Sequence, residues 1–572
     1  MTTKTNNNKS KAGHGGGIRG SDVQDRSSQF EGRFGRMFRT LPAADFDIAD
    51  LHMLAKAMIA DPEIQMENGK PKRDPKTNFF IPIATKEDEV DDEENFGIPA
   101  GYTYLGQFID HDLTFDPASS LQKQNDPDGL TDFRTPRFDL DCIYGRGPDD
   151  QPYMFDGNKF LFGRELTEGG VHKGRLDLLR IPANNRAVIG DKRNDENVIV
   201  SQLQGVFLRF HNAIADAKGK DASFAEVQQE VRWHYQWVVL HDFLPRIVGE
   251  HTYNELLPHI KSGKRIYDDP PRLQFYLPKY ASFIPIEFSA AAYRFGHSMV
   301  RPIYRLNTEL GKNASADEIE RGVDGRQFIF AAVHTEGLNG FRAFPDIWSI
   351  NWNLFFEIDS KLSTHNLGKS RVQASYKIDT SLVNPLAFLP EFSKLNADDL
   401  ERDSDGNPVP VDPVKSPSSL ALRNLLRGLS MDLPSGQDVA RCMGYAPLRD
   451  EDILIGKATF SNEFGAAAER NRSIIEYGKS FAGKAPLWTY ILAEAQHDWR
   501  LRARGKTEQE ANALPVHLGK VGGRIVAEVF IGLLLGDSHS FLSQNPNWKP
   551  SKVGLDGRFD ISDLIRIALG AK

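Results

Sequence analysis

Residues Gly106 to Asp116 read GQFIDHDLTFD and set an imidazole, His111, between two carboxylates, Asp110 and Asp112. A neutral imidazole titrates near neutrality, so His111 could take up a proton and hand it on. On a helix successive side chains point about 100° apart, which sends Asp110, His111 and Asp112 in three directions and puts Gln107 on the face of His111. One short segment could then serve three tasks. The same triplet also reads as a surface histidine whose acidic neighbours raise its pKa.

Three further segments carry chemistry-bearing residues. Thr135 to Gly145, TPRFDLDCIYG, offers hard oxygens at Thr135, Asp139 and Asp141. Calcium takes six to eight oxygens, often mixing carboxylates with backbone carbonyls. An acidic turn is the other reading. Gly190 to Asn197 holds Arg193 and Glu196 three apart at the mouth of a helix. That arginine could stabilise developing negative charge, or it could form a helix-start salt bridge. In YRFGHSMV, His297 follows Gly296. A lone histidine on an apolar helix is usually a core residue, but a neighbouring glycine leaves room for a flat ligand. A His-Asp pair is also similar to the ligand pairs of metal-dependent phosphohydrolases, whose further ligands cannot be assigned here.

The elements that must position these residues are mostly helical. Leu203, Val206, Phe207, Phe210 and Ile214 mark one helix face, and Ser223 with Glu226 forms a capping-box pattern before the stripe Val227, Val231, Tyr235 and Val238. Ala291, Ala292, Phe295 and Met299 predict another helix that stops near Pro302, and Leu487, Ile491 and Ala495 a further one. Alternating strand patterns are few and short. The fold class is therefore mainly α, a single large domain over residues 31–572 with a ligand buried between helices. Residues 1–30 are polar and Gly/Asn/Lys-rich and read as a flexible arm; residues 395–418 read as a long surface connection.

Composition narrows the function classes. The 572 residues are 40% hydrophobic and 26% charged, enough for a large core. The net charge of −8 offers no broad basic field, so no nucleic-acid partner is expected. Two cysteines, Cys142 and Cys442, exclude a disulfide scaffold and a Cys-rich metal site; a single disulfide between them stays open, but two buried thiols are expected. No secretory signal is recognisable, and the most apolar run, Ile525–Leu535, is too short for a membrane span and carries Glu528. The expected location is the cytoplasm, with export by another route left open. Oligomeric state is not legible.

Taken in order, these segments resemble the animal-type haem peroxidases of the peroxidase–cyclooxygenase superfamily, in the manner of a bacterial member. The resemblance covers residues from about 100 to 445. GQFIDHDLTF is similar to the family's distal-histidine motif. It implies that His111 moves the proton of hydrogen peroxide, that Gln107 hydrogen-bonds in the distal pocket, and that Asp110 can form an ester with the haem. The calcium loop that follows implies oxygens from Asp112, Thr135, Asp139 and Asp141 and the backbone carbonyl of Arg137; many relatives have another residue where Asp141 stands. The GDxRxxE segment implies Arg193 as the catalytic arginine and Glu196 as the second ester. Asn197 follows Glu196 where one mammalian member has the methionine of a sulfonium link, so no such link is expected. Arg-x-Gly-His implies His297 as the iron ligand and Arg294 as a partner of a haem propionate. Asn424, nine residues before Leu433-Pro434, would hold the His297 ring. Its separation from His297 is long for the family and implies insertions around 305–417. His211 is expected to be structural.

The resemblance implies haem b, to which Asp110 and Glu196 can form ester links, together with Ca2+. It implies an oxidoreductase active in response to oxidative stress that uses hydrogen peroxide to oxidise a small donor, a halide, pseudohalide or aromatic, through a ferryl intermediate. One alternative is a haem-dependent fatty-acid dioxygenase of the same superfamily. Those relatives place a radical-forming tyrosine three residues before the proximal histidine, where this chain has Arg294 and Tyr293 is one residue off. The other alternative is a non-catalytic haem- and calcium-binding module.

Overall fold

The computed structural model of the chain describes residues 34–61, 66–67, 70–71, 91–115, 132, 134–168, 171–278, 281–313, 325–330, 337–387, 389, 418–467, 470–550 and 558–570. The expected N-terminal arm and most of the 395–418 connection lie outside these residues.

Helices dominate, and strands occur only as two-stranded ladders among the described residues. Helix α1 (Gly101–Leu113) carries Gln107, Asp110, His111 and Asp112. It packs against α2 (Val198–Lys218), the predicted helix of the Leu203–Ile214 face. Asn197 starts α2 by accepting the backbone N–H groups of Ile199 and Val200 on its side chain. Helix α3 (Phe224–Val238) begins with the predicted Ser223–Glu226 capping box. One π turn, Val239–Phe243, then joins it to α4 (Leu244–Leu256). Helix α5 (Leu420–Ser430) carries Asn424, α6 (Leu487–Ala503) matches the Leu487–Ala495 stripe, and α7 (Lys520–Gly536) is the apolar run around Glu528.

An aromatic cluster ties these helices together. Phe108 of α1 stacks on Phe207 of α2 at 4.4 Å, and Tyr235 of α3 meets both rings edge-on. Phe138, from the acidic segment, bridges Tyr235 to Phe530 of α7. The cluster fixes where α1 lies, and with it four of the candidate residues. Helix α7 is a core helix: Glu528 accepts the backbone N–H groups of Gln274, Phe275 and Tyr276 and pairs with Arg524. Among the described residues no helix is long and apolar enough to cross a membrane.

Two expectations are corrected. The helix predicted over Ala291–Met299 is a short α turn, Ile286–Ser289, followed by a 3-10 helix, Ala292–His297. The apolar spacing marked burial there rather than an unbroken α-helix, because Ala291 leaves helical geometry. The thiols also differ from expectation: both are free, with Cys142 buried and Cys442 exposed.

His211 on α2 is structural, as expected. Its Nδ1 meets the Tyr144 hydroxyl at 3.0 Å and its Nε2 the Asn158 carbonyl at 2.7 Å. Burial pushes its pKa down to about 4. The fold therefore holds the neutral ring, and this contribution is lost as pH falls from about 6.5 towards 4. His211→Gln should lose less stability than the parent between pH 7 and pH 5 when urea unfolding is followed at both.

Candidate active site

One cavity of about 430 Å³ brings the predicted residues to opposing walls, with Gln107, Asp110, His111, Arg193 and Glu196 on one side and Arg294 and His297 on the other. Helix α1 and the segment before α2 build the first wall. Glycine at 340 lets the 337–341 loop brace that segment: the Gly340 N–H donates to the Glu196 carbonyl, and a Cβ there would lie 1.8 Å from the Asp195 carbonyl oxygen.

The hydrogen bonds of this wall fix the state of His111. Asn194 donates its amide N–H to Gln204 Oε1, so its own oxygen, 2.7 Å from His111 Nδ1, must accept. The ring proton therefore sits on Nδ1, and the lone pair on Nε2 is available as a base. Nε2 lies 3.6 Å from Glu196 Oε1, which also accepts from Gln107 Nε2. Asn197 Nδ2 donates to Gln107 Oε1 at 3.2 Å and completes the chain. Burial, with the Arg193 charge next, pushes the His111 pKa down to about 3, so the ring is neutral at neutral pH. Asp110 accepts the Thr114 hydroxyl at 3.1 Å. Burial raises its pKa, while Arg193 and Arg294 draw it back down.

Arg193 is held on four acceptor oxygens of three residues. It donates to both oxygens of Asp191, at 3.2 and 2.8 Å, and to the carbonyls of His111 and Thr114 at 3.1 and 2.5 Å. The ring of Phe115 lies 4.7 Å below the guanidinium. A second buried arginine, Arg134, holds the same Asp191 and also donates to the His111 carbonyl at 3.2 Å.

Behind α1 lies the acidic segment. Oxygens of Asp112, Asp139 and Asp141 come within 4.8 Å of one another. Asp112 is fully buried, and its Oδ1 has no hydrogen-bond partner while Oδ2 accepts the Leu140 N–H at 3.2 Å. Burial and then the charges of Asp139 and Asp141 push the Asp112 carboxyl well up from its usual range. Leu140 adopts a left-handed φ of 58°, unusual for a branched residue, to bend the loop around this point. A hard cation would relieve the carboxylate repulsion and take the free Asp112 oxygen, so the donor set fits calcium. Thr135 joins the cluster through its hydroxyl, which donates to Asp139 Oδ2 at 2.8 Å. Arg137 contributes a tight turn, its N–H donating to the Thr135 carbonyl, and its side chain approaches Asp537 at 3.8 Å.

On the opposite wall, Asn424 Nδ2 lies 2.8 Å from His297 Nδ1, the pairing expected from the sequence. Asn424 Oδ1 accepts from Arg294 Nη1 at 2.5 Å, and Arg294 Nε donates to the Ser289 carbonyl at 3.0 Å. Arginine can only donate, so here the amide N–H faces His297 Nδ1 and the ring proton is on Nε2. Coordination of iron through Nε2 requires the reverse: the amide turned, its oxygen accepting from Nδ1–H, and Arg294 released. Burial, then the Arg294 charge, pushes His297 down to about 3, so it is a neutral ligand candidate. A side chain at Gly296 would meet nothing within 4 Å, which leaves open space beside the His297 ring for a flat macrocycle. The residues present therefore fit a haem.

The family model described as animal haem peroxidase matches residues 171–331, the span that holds Arg193, Glu196, Arg294 and His297. Over that span the chain is similar to the animal haem peroxidases. A peroxidase-like protein of Margaritifera margaritifera is 30% identical over 35% of this chain and 32% of its own length. The thyroid peroxidase of Mus musculus is 25% identical over 37% of this chain and 24% of its own length. The chain thus spans about a quarter to a third of these relatives. Among solved structures, peroxidase A from Dictyostelium discoideum superposes with a TM-score of 0.45 at 14% identity, over 90% of this chain and 89% of that one. A fatty acid alpha-dioxygenase of Oryza sativa superposes with a TM-score of 0.47 at 14% identity, over 95% of this chain and 86% of that one.

Asn194, Asp191 and Arg134 went unnoticed in the sequence. Asp191 lies inside the GDxRxxE segment, but only its contacts reveal what it holds. Asn424 is fully buried and bonds two charged or ligating partners. Asn424→Ala should cost about 2 kcal/mol in denaturant unfolding of the haem-free chain, because it strands buried Arg294.

Proposed function

We propose that this chain is a haem peroxidase that uses hydrogen peroxide to oxidise a small donor, a halide, pseudohalide or aromatic. One observation carries the reading: His111, its base-ready Nε2 set by Asn194, shares a cavity with His297, whose other ring nitrogen is held by Asn424. Haem b would be held by His297, and it would supply the electrons that reduce the peroxide O–O bond. His111 Nε2 would take the proton from the proximal oxygen of peroxide and return it to the departing one. Arg193, at the cavity wall, would stabilise the charge that develops on that oxygen. Glu196, held by Gln107, approaches His111 Nε2, and both residues line the space that a haem would enter.

Two further features belong to this reading. Asp110 and Glu196 both line the cavity, which supports ester links to haem methyl groups. Ca2+ would be bound by Asp112, Asp139 and Asp141, with Thr135 and the Arg137 carbonyl beside them. The dioxygenase alternative has less support. Arg294 stands where a radical tyrosine would be needed, and the Tyr293 hydroxyl donates to the Gly106 carbonyl at 3.2 Å.

The purified haem-loaded protein should show a Soret band that shifts promptly on one equivalent of hydrogen peroxide; a band that does not move defeats the peroxidase reading. His111→Ala should retain haem and slow that shift about 10²–10⁴-fold in stopped flow. Calcium at about 100 times its dissociation constant should stabilise the fold by ~2.7 kcal/mol in thermal unfolding, and Asp112→Asn should abolish the gain.

A further inference from the structure

The acidic loop and the first wall of the cavity are joined by a continuous buried chain of charges. Arg134 Nη1 lies 3.4 Å from Asp141 Oδ1, on the cation side. Its Nε donates to Asp191 Oδ2 at 3.0 Å, and Asp191 in turn holds Arg193 with both oxygens. Arg134 and Asp191 are almost wholly buried, with side chains 2% and 1% exposed, so water screens these contacts little. The backbone reinforces the link. Gly190, next to Asp191, lies so close to the loop that a Cβ would sit 2.5 Å from the Cys142 carbonyl oxygen and 3.1 Å from that of Asp141.

We propose that Arg134 is a positioning residue that couples cation binding at Asp112, Asp139 and Asp141 to the freedom of Arg193 in the cavity. This rests on the calcium reading above. Without a cation, Arg134 is divided between Asp141 and Asp191. A divalent cation takes the Asp141 charge and repels the guanidinium, so Arg134 turns wholly to Asp191. Asp191 is then more fully compensated from that side, and its hold on Arg193 weakens. Arg193 exchanges a buried carboxylate for an acceptor in the cavity. Arginine suits this role, since its planar fork aims separate nitrogens at two carboxylates, whereas lysine offers one nitrogen only.

Coupling between two sites is reciprocal. Azide bound to the ferric haem is a suitable probe, because its outer nitrogen can accept from Arg193. The experiment measures azide affinity of the haem-loaded protein from the Soret band with and without calcium, and calcium affinity by calorimetry with and without azide. In the parent each ligand should tighten the other about tenfold. In Arg134→Lys that factor should fall to near one while the protein still binds both ligands, an outcome that a uniform loss of affinity would not produce. A parent that binds calcium without any coupling overturns the inference and leaves the calcium reading intact, even if no variant folds. Arg134→Lys with the parent's coupling also overturns it. A parent that binds no calcium removes the calcium reading and the inference with it.

Discussion

Two buried arginines share one carboxylate, and the first wall of the cavity takes its shape from that arrangement. Asp191 is held far below the usual carboxylate range: its burial is outweighed by Arg193 and then Arg134. Both guanidiniums also donate to the His111 carbonyl. The end of α1 is therefore fixed by charge-assisted hydrogen bonds from behind while the imidazole faces the cavity. Such a cluster is stable only when every member is paired, because an isolated buried charge costs several kcal/mol. Removing Asp191 would leave two buried guanidiniums without the carboxylate they share.

Around this cluster, the apolar core sets distances and the polar network sets protonation. The stack of Phe108 on Phe207 fixes how closely α1 approaches α2. Within that spacing, amides with defined donors and acceptors decide where protons sit. Asn194 puts the His111 proton on Nδ1, and Arg294, through Asn424, puts the His297 proton on Nε2. The two histidines thus occupy opposite tautomers across one cavity, as an enzyme needing a base on one side would require of the first. The second must change tautomer before it can coordinate a metal. Arg294 is the group that would be displaced in that change, which leaves its charge near the cavity for a carboxylate of the incoming macrocycle.

Helical periodicity made most of the scaffold legible. The Leu203–Ile214 face, the Ser223 capping box and the α6 stripe are local signals, and they survive packing. The Ala291–His297 segment was less legible, because there the burial of Tyr293 follows its ring contacts with Phe288, Phe295 and Phe530 rather than a helical period. His111, Arg193, His297 and Asn424 were picked out by residue type and motif resemblance; the structure sets the first three on one cavity and Asn424 against His297. Arg134, Asp191 and Asn194 could not, because their roles arise from contacts across 57 residues of chain in one case and 83 in another. No one-dimensional pattern encodes those distances.

The buried thiol of Cys142 has a consequence for a pocket proposed to meet an oxidant. Peroxide attacks a thiolate, and a protonated thiol reacts far more slowly. Burial, followed by the charges of Asp112 and Asp141, pushes the Cys142 thiol well up from its ordinary range. The same carboxylates that could collect a cation thus also keep the core sulfur in its least reactive form. Cys442, on the surface and far along the chain, has no such shield. Oxidative wear would begin at the rim of the molecule and spare the loop on which the cavity depends.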